Sequence, residues 1–286
     1  MFTLLVPGDC ITAKPFPYNG PYFPAVSHED NVRAQYTVLT KKLGLEHIYC
    51  VFGFSMGGQL SYHWPVMYPD YLDKYVVVCG SARTSPHNIA YETSKSKLTF
   101  VMRLAEHGVD SFLEGPKAAM KASKDFEDGH YKSIPQHGIR AFGRVYCPWA
   151  YGQTWFRNHG YLLDGLYSSL EDFLRERWEG NYLNFWDAND MLALVNTWQT
   201  ADVSKVKDGG DLEKCLGAIK VKGLIMPCKT DLYFTPEDSQ IEVSYMKDTA
   251  KLVIIDSVWG HVAGGSSSPR DLEFVQAQVK AFLESE

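Results

Sequence analysis

Val51-Phe52-Gly53-Phe54-Ser55-Met56-Gly57-Gly58 follows an apolar run, precedes a helical pattern, and contains the spacing Gly-x-Ser-x-Gly. A strand that turns at once into a helix leaves little room two positions before and two after the serine. Gly53 and Gly57 are therefore expected where a side chain would not fit. Such a turn lifts the serine Oγ above the end of a sheet. It also aims the backbone N–H of the next residue, Met56, at a negative charge developing on a nearby oxygen. The helix N-terminus adds a favourable dipole. Glycine-rich turns produce this spacing by accident as well; the strand–turn–helix setting is what makes Ser55 a candidate nucleophile.

Outward from this turn, short apolar runs rich in β-branched and aromatic residues read as buried parallel strands. They are Phe2 to Val6, His47 to Phe52, Tyr75 to Cys79, Gly223 to Cys228 and Lys251 to Ile255. Helical patterns lie between them. Asp30 to Leu43 is stopped by Gly44, and Gly57 to Tyr68 is ended by Pro69-Asp70. Pro236 to Met246 has Thr235 as its expected N-cap, and Asp271 to Leu283 shows an apolar face. Strand–helix alternation of this kind predicts an α/β fold with a mostly parallel sheet covered on both faces. From Arg83 to Val221 the rhythm breaks into a long, aromatic-rich stretch with helical spacing. A structureless loop of that length is improbable in a compact domain. The expected organisation is a core of residues 1–82 and 222–286, with 83–221 inserted as a helical cap or lid whose aromatics mostly form its own core.

The 286 residues fit one such domain with an insertion, and 45% hydrophobic with 22% charged residues is a globular balance. A net charge of -6 without a local Lys/Arg cluster excludes general attraction to nucleic acid or anionic lipid. No apolar run reaches the roughly 18 residues of a membrane span. The opening Met1 to Val6 lacks the basic region of a secretory signal. Six scattered cysteines show no metal-binding spacing and read as reduced side chains of a cytoplasmic protein. No metal and no bound cofactor are expected.

A serine hydroxyl needs a base held by a carboxylate, and with this type of turn the partners follow in the order Ser, Asp, His. Asp231 lies just past the strand Gly223 to Cys228, where parallel sheets place their chemistry. Asp238, the nearest competitor, falls within a predicted helix. Of nine histidines, His261 alone sits between a late strand and the terminal helix, in the glycine-rich loop Trp259 to Gly265. The predicted catalytic set is Ser55, Asp231 and His261, with Met56 as oxyanion donor. The other histidines are expected in packing or surface roles.

Several separated motifs occur in order: Asp30 to Gln35, Gly53 to Gly58, Ser81 to Asn88, Asp187-Ala188-Asn189, Asp231 and Gly260-His261. In these the chain resembles the homoserine O-acetyltransferase-like α/β-hydrolases over nearly its whole length. The resemblance implies an α/β-hydrolase fold in which Ser55 takes an acyl group, with acyl-CoA as co-substrate, and His261 then activates an acceptor hydroxyl. The implied partners are a small-molecule acyl donor and acceptor; a homodimer is left open, and the substrate-binding residues are unknown. Members that acylate homoserine carry an arginine and an aspartate where Phe185 and Val262 stand here. The apolar replacements point to a less polar acceptor, or to ester hydrolysis. Relatives also carry more chain before Phe2, including early strands and a loop with a second oxyanion N–H, and Gly8 to Tyr18 departs from their small-residue loop. The expectation is an N-terminally short core. Two alternatives stay open: homoserine O-acetylation proper, and a non-catalytic interaction protein on a truncated hydrolase scaffold.

Overall fold

A computed structural model describes residues 16–85, 108–265 and 267–285. Four parallel strands form a sheet in the order β1 (Ile48–Phe54), β2 (Leu72–Val78), β3 (Lys222–Met226) and β4 (Ala250–Leu252). The expected strand Phe2 to Val6 lies outside the described residues, as do Pro86 to Asn88 of the motif after β2.

Side chains alternate across each strand, and the two faces bury different sets. On one face Tyr75, Val77 and Ile225 pack with Leu60, Tyr62 and Trp64 of α2 (Met56–Met67), with Val32 of α1 (His28–Thr37) beside them. On the other face Val76, Val78, Leu224 and Met226 meet Val275 and Phe282. Those two residues belong to the last long helix, Pro269–Glu284. The sheet is thus a layer between two helical layers.

The stretch between β2 and β3 is helical where it is described. It includes α3 (Gly108–Lys121), α4 (Gln136–Ala150) and α5 (Ala188–Gln199), together with shorter turns. A third cluster built on Phe142, Trp155, Phe173 and Trp198 fills this stretch, and Tyr233 and Phe234 join it from the loop after β3. Helices α6 (Pro236–Met246) and α7 (Pro269–Glu284) follow β3 and β4.

Several boundaries differ from expectation for local reasons. Helix α1 begins at His28 because Ser27 and Asp30 form a reciprocal capping box. It then loosens into a π-helical turn over Val38–Lys42. Strand β3 ends before Pro227, which has no N–H to continue a ladder, so β4 also stops early and only a bridge joins Cys228 to Ile255. Thr235 stands at the N-cap of α6 but caps no N–H; its hydroxyl donates to the Asp238 carboxylate at 2.9 Å.

Candidate active site

Ser55 sits between β1 and α2 with φ 59° and ψ −128°, a conformation outside the allowed regions for most residues. The glycines around it explain how the chain tolerates this turn. A Cβ on Gly53 would lie 1.9 Å from the Gly57 carbonyl oxygen, so Gly53 is required. Gly57 differs from expectation: outside its own helix a Cβ there would meet nothing within 4 Å. The close approach falls one residue later, where Gly58 packs against Gly80 at the end of β2. Met56 is the first residue of α2, so its N–H has no acceptor within the helix and is free to bind an oxyanion.

The structure brings Ser55, His261 and Asp231 into one hydrogen-bonded line. His261 Nε2 lies 2.8 Å from Ser55 Oγ, and His261 Nδ1 lies 2.9 Å from Asp231 Oδ2. The other carboxylate oxygen, Oδ1, accepts the backbone N–H groups of Tyr233 at 2.8 Å and Phe234 at 3.2 Å. Asp231 is therefore fixed on both sides and buried. A carboxylate can only accept, so Nδ1 carries the imidazole proton and Nε2 is left to accept from the serine. Three rings enclose the imidazole: Phe54 stacked at 4.8 Å, Tyr233 edge-on at 4.9 Å and Phe234 tilted at 5.5 Å.

The loops that carry Asp231 and His261 are tied to each other. Thr230 Oγ1 donates to the Ser257 carbonyl at 2.9 Å and accepts from Gly260 N–H at 3.1 Å. Gly260 has φ +62°, and a Cβ there would lie 2.7 Å from the backbone of Tyr151 and Gly152. The glycine before His261 thus lets the helical stretch press against the loop.

An apolar cavity of about 180 Å³ opens beside Met56. Phe142, Tyr146, Tyr182, Trp186 and Trp198 surround it, with Met191, Leu194 and Val195 completing the wall. None of the described residues that line it is charged. Phe185, expected on the substrate side, is 76% exposed, and its neighbour Trp186 lines the cavity instead. Val262 packs into the aromatic cluster beside His261. Arg83 and Arg144 are already engaged elsewhere. Arg83 meets Asp202 at 3.0 Å and donates to Ser204 Oγ at 2.7 Å. Arg144 binds Glu171 and Glu179.

Sequence reasoning did not find the rings around His261, although Tyr233 and Phe234 follow Asp231 closely enough to have signalled two of them. His28 takes the packing role expected of the other histidines: its Nε2 donates to the Met56 carbonyl at 3.3 Å and its ring stacks on that of His63 at 5.3 Å. Burial lowers His28 to about 3 and His63 to about 4, so both support the turn as neutral rings.

Residues 12–119 match the family described as alpha/beta hydrolase fold. The ethyl acetate hydrolase of Pseudomonas veronii is 28% identical over 268 residues, covering 93% of this chain and 70% of that protein. A homoserine O-succinyltransferase of Marinobacter nauticus is 30% identical over 279 residues, covering 94% of this chain and 67% of that protein. The solved structure of the acetyl esterase MekB superposes with a TM-score of 0.82 at 28% identity, covering 96% of this chain and 73% of that one. With the strand–turn–helix serine and its hydrogen-bonded partners in place, the chain belongs to the α/β-hydrolase family, in the group that holds homoserine O-acyltransferases and related esterases.

Proposed function

We propose that this chain is a serine-nucleophile esterase or acyltransferase that works through an acyl-enzyme on Ser55 and handles neutral substrates rather than homoserine. The observation that carries the reading is the line Ser55–His261–Asp231 next to Met56, which lines a cavity with no charged wall residue among the described residues.

Ser55 Oγ attacks the ester or thioester carbonyl while His261 Nε2 takes its proton. Asp231 holds the tautomer that makes this transfer feasible and stabilises the imidazolium that forms. The Met56 N–H supports the oxyanion of the tetrahedral intermediate. His261 then returns the proton to the leaving alcohol or thiol. Water, or an acceptor alcohol deprotonated by the same Nε2, releases the acyl group. Nucleophile, base and oxyanion donor all come from the chain, so the reaction calls for no metal and no bound cofactor; acyl-CoA would serve as a co-substrate.

An amino acid such as homoserine would bring a carboxylate and an ammonium into this wall with no ionic partner, and burying unpaired charge is costly. Arg83 and Arg144 would have to leave existing carboxylates to help. Five described cysteines are unpaired, which fits a cytoplasmic enzyme. The test combines labelling by a fluorophosphonate with two assays: hydrolysis of short p-nitrophenyl esters, and acetyl transfer from acetyl-CoA to homoserine. The expected result is labelling at Ser55 and ester turnover well above homoserine acetylation. Efficient homoserine acetylation with negligible ester turnover would overturn the substrate assignment, and absence of labelling would overturn the nucleophile.

A further inference from the structure

A third donor that the proposed reaction leaves idle lies beside the Asp231–His261 pair. Cys79 is the residue after β2, fully buried, with a left-handed φ of 45°. Its backbone N–H is held by the Met226 carbonyl at 3.0 Å, which fixes where the side chain starts. The sulfur lies under the loop that carries His261: a Cβ on Gly264 would come within 2.6 Å of it. Gly264 is thus a position where the loop leaves room for this atom. The Cys79 Sγ, a carboxylate oxygen of Asp231 and a ring nitrogen of His261 all lie within 4.8 Å of one another.

We propose that these three atoms form a site for a soft or borderline divalent cation, Zn²⁺ or Cd²⁺, whose occupation shuts off the reaction. Ligand type supports the choice. Thiolate and imidazole favour such cations, whereas Mg²⁺ and Ca²⁺ require several oxygen ligands that this cluster does not offer. Geometry is close to what is needed. Tetrahedral zinc bonds of roughly 2.0–2.3 Å place donors roughly 3.3–3.8 Å apart. Nδ1 and Oδ2 at 2.9 Å would open slightly, and the sulfur would close by up to about 1 Å. Charge also balances. One thiolate and one carboxylate neutralise a dication, so the buried assembly carries no net charge, and a buried dication is tolerated only when compensated in this way.

The proton inventory explains the inhibition. The cation displaces the thiol proton of Cys79 to solvent and takes the Nδ1 position of His261. The imidazole proton moves from Nδ1 to Nε2, so the ring stays neutral and Asp231 stays ionised. Nε2 then bears hydrogen and cannot accept the proton of Ser55. The cation therefore lowers kcat without filling the substrate cavity. Because Cys79 and Asp231 are buried, entry requires the Gly260–Gly264 turn to open, and inhibition sets in slowly.

The inhibitory consequence rests on the proposed Ser55 reaction; the binding site does not. The experiment therefore reads both, on the full chain. Wild type, Cys79→Ala and the nearly isosteric Cys79→Ser are incubated with Cd²⁺, Zn²⁺ or Mg²⁺, with Cys50→Ser as a control for the partly exposed thiol. Turnover of p-nitrophenyl acetate and the ultraviolet cadmium–thiolate absorption are followed together. In wild type and Cys50→Ser the expectation is one tightly bound Cd²⁺, a thiolate band and a slow loss of kcat reversed by chelator, with Mg²⁺ inert. In either Cys79 variant, basal turnover persists, the site's band is lost and half-inhibition needs at least about tenfold more Cd²⁺. Equal inhibition and an equal band in both Cys79 variants would overturn the site. If no form turns over ester, the reaction assignment fails, and loss of the band on replacing Cys79 alone still decides the site.

Discussion

Asp231 is held from both sides, by its own loop and by the imidazole. Its Oδ1 is committed to the backbone of its own loop and its Oδ2 to the imidazole. In Asp231→Asn the amide oxygen would keep the two backbone N–H groups, which leaves the NH₂ facing Nδ1. Nδ1 must then accept, the ring proton moves to Nε2, and the base is lost although the shape is preserved. The expected outcome is a fall in kcat on the order of 10⁴ with KM little changed. A change within tenfold would mean that His261 does not act through this pair. Removing the proposed nucleophile in Ser55→Ala should cost a factor on the order of 10⁶ where background permits. The three polar members of this line were legible in the sequence because strand ends and chain order fix which loop each occupies. Their surroundings were not legible in the same way. Cys79 and His28 reach the site by folding across long sequence separations, which no local pattern encodes. The difference between Phe185 and Trp186 is a single step at the end of a helical turn, finer than a motif can resolve.

Lys74 shows how one strand secures one helix. It lies in β2 and is buried, yet its ammonium reaches the C-terminus of α7 and donates to the carbonyls of Phe282 at 3.0 Å and Leu283 at 3.1 Å. The rings of Tyr49 and Phe282 each lie 5.4 Å from the same nitrogen. A cation at a helix C-terminus meets both the unsatisfied carbonyls and the negative end of the dipole. Lys74→Met keeps the apolar stem and removes the donors, so it should destabilise the protein by about 1–3 kcal/mol in urea unfolding. Lys74→Arg should recover part of that loss, and an unchanged midpoint in Lys74→Met would show that water serves these carbonyls equally well. At this scale the sequence was most informative where a local signal was specific, as for α6, whose span Pro236–Met246 begins at the proline expected in its first position. It was least informative where partners set the limits. The early end of β4 follows from Pro227 just past the neighbouring strand, and the N-terminal turn of α1 follows from a capping box that uses aspartate at its third position.

Across the whole molecule, buried titratable groups set opposing trends of stability with pH. Glu242 is buried between α6 and the sheet, where it accepts from Tyr62 Oη at 2.8 Å and from the Ala82 N–H at 2.7 Å. Burial raises it from 4.5 to about 8, against those two hydrogen bonds and with the charge of Asp238 adding to the rise. The folded state therefore binds this proton more tightly than the unfolded chain does. Its contribution is fully present below pH 4.5 and is lost as pH rises through about 8. His28 and His63 act in the other direction. Burial lowers them from 6.5 to about 3 and about 4, with each other and, for His63, Asp202 as the charged or titratable neighbours. Their contribution is present above pH 6.5 and is lost as pH falls towards those values. Between 4.5 and 6.5 the unfolded chain holds two histidine protons that the folded state refuses, against one glutamate proton that the folded state keeps, so stability rises with pH. Above 6.5 the glutamate alone of these three groups acts, and its contribution lowers stability by about 1.4 kcal/mol per unit until its proton leaves. Urea unfolding should accordingly show greatest stability at about pH 6–7. Glu242→Gln, which keeps an acceptor for Ala82 and carries no ionisable proton, should abolish the decline above that maximum while leaving the acid limb intact. A decline of the same slope in Glu242→Gln would assign it to other groups and remove Glu242 from the account.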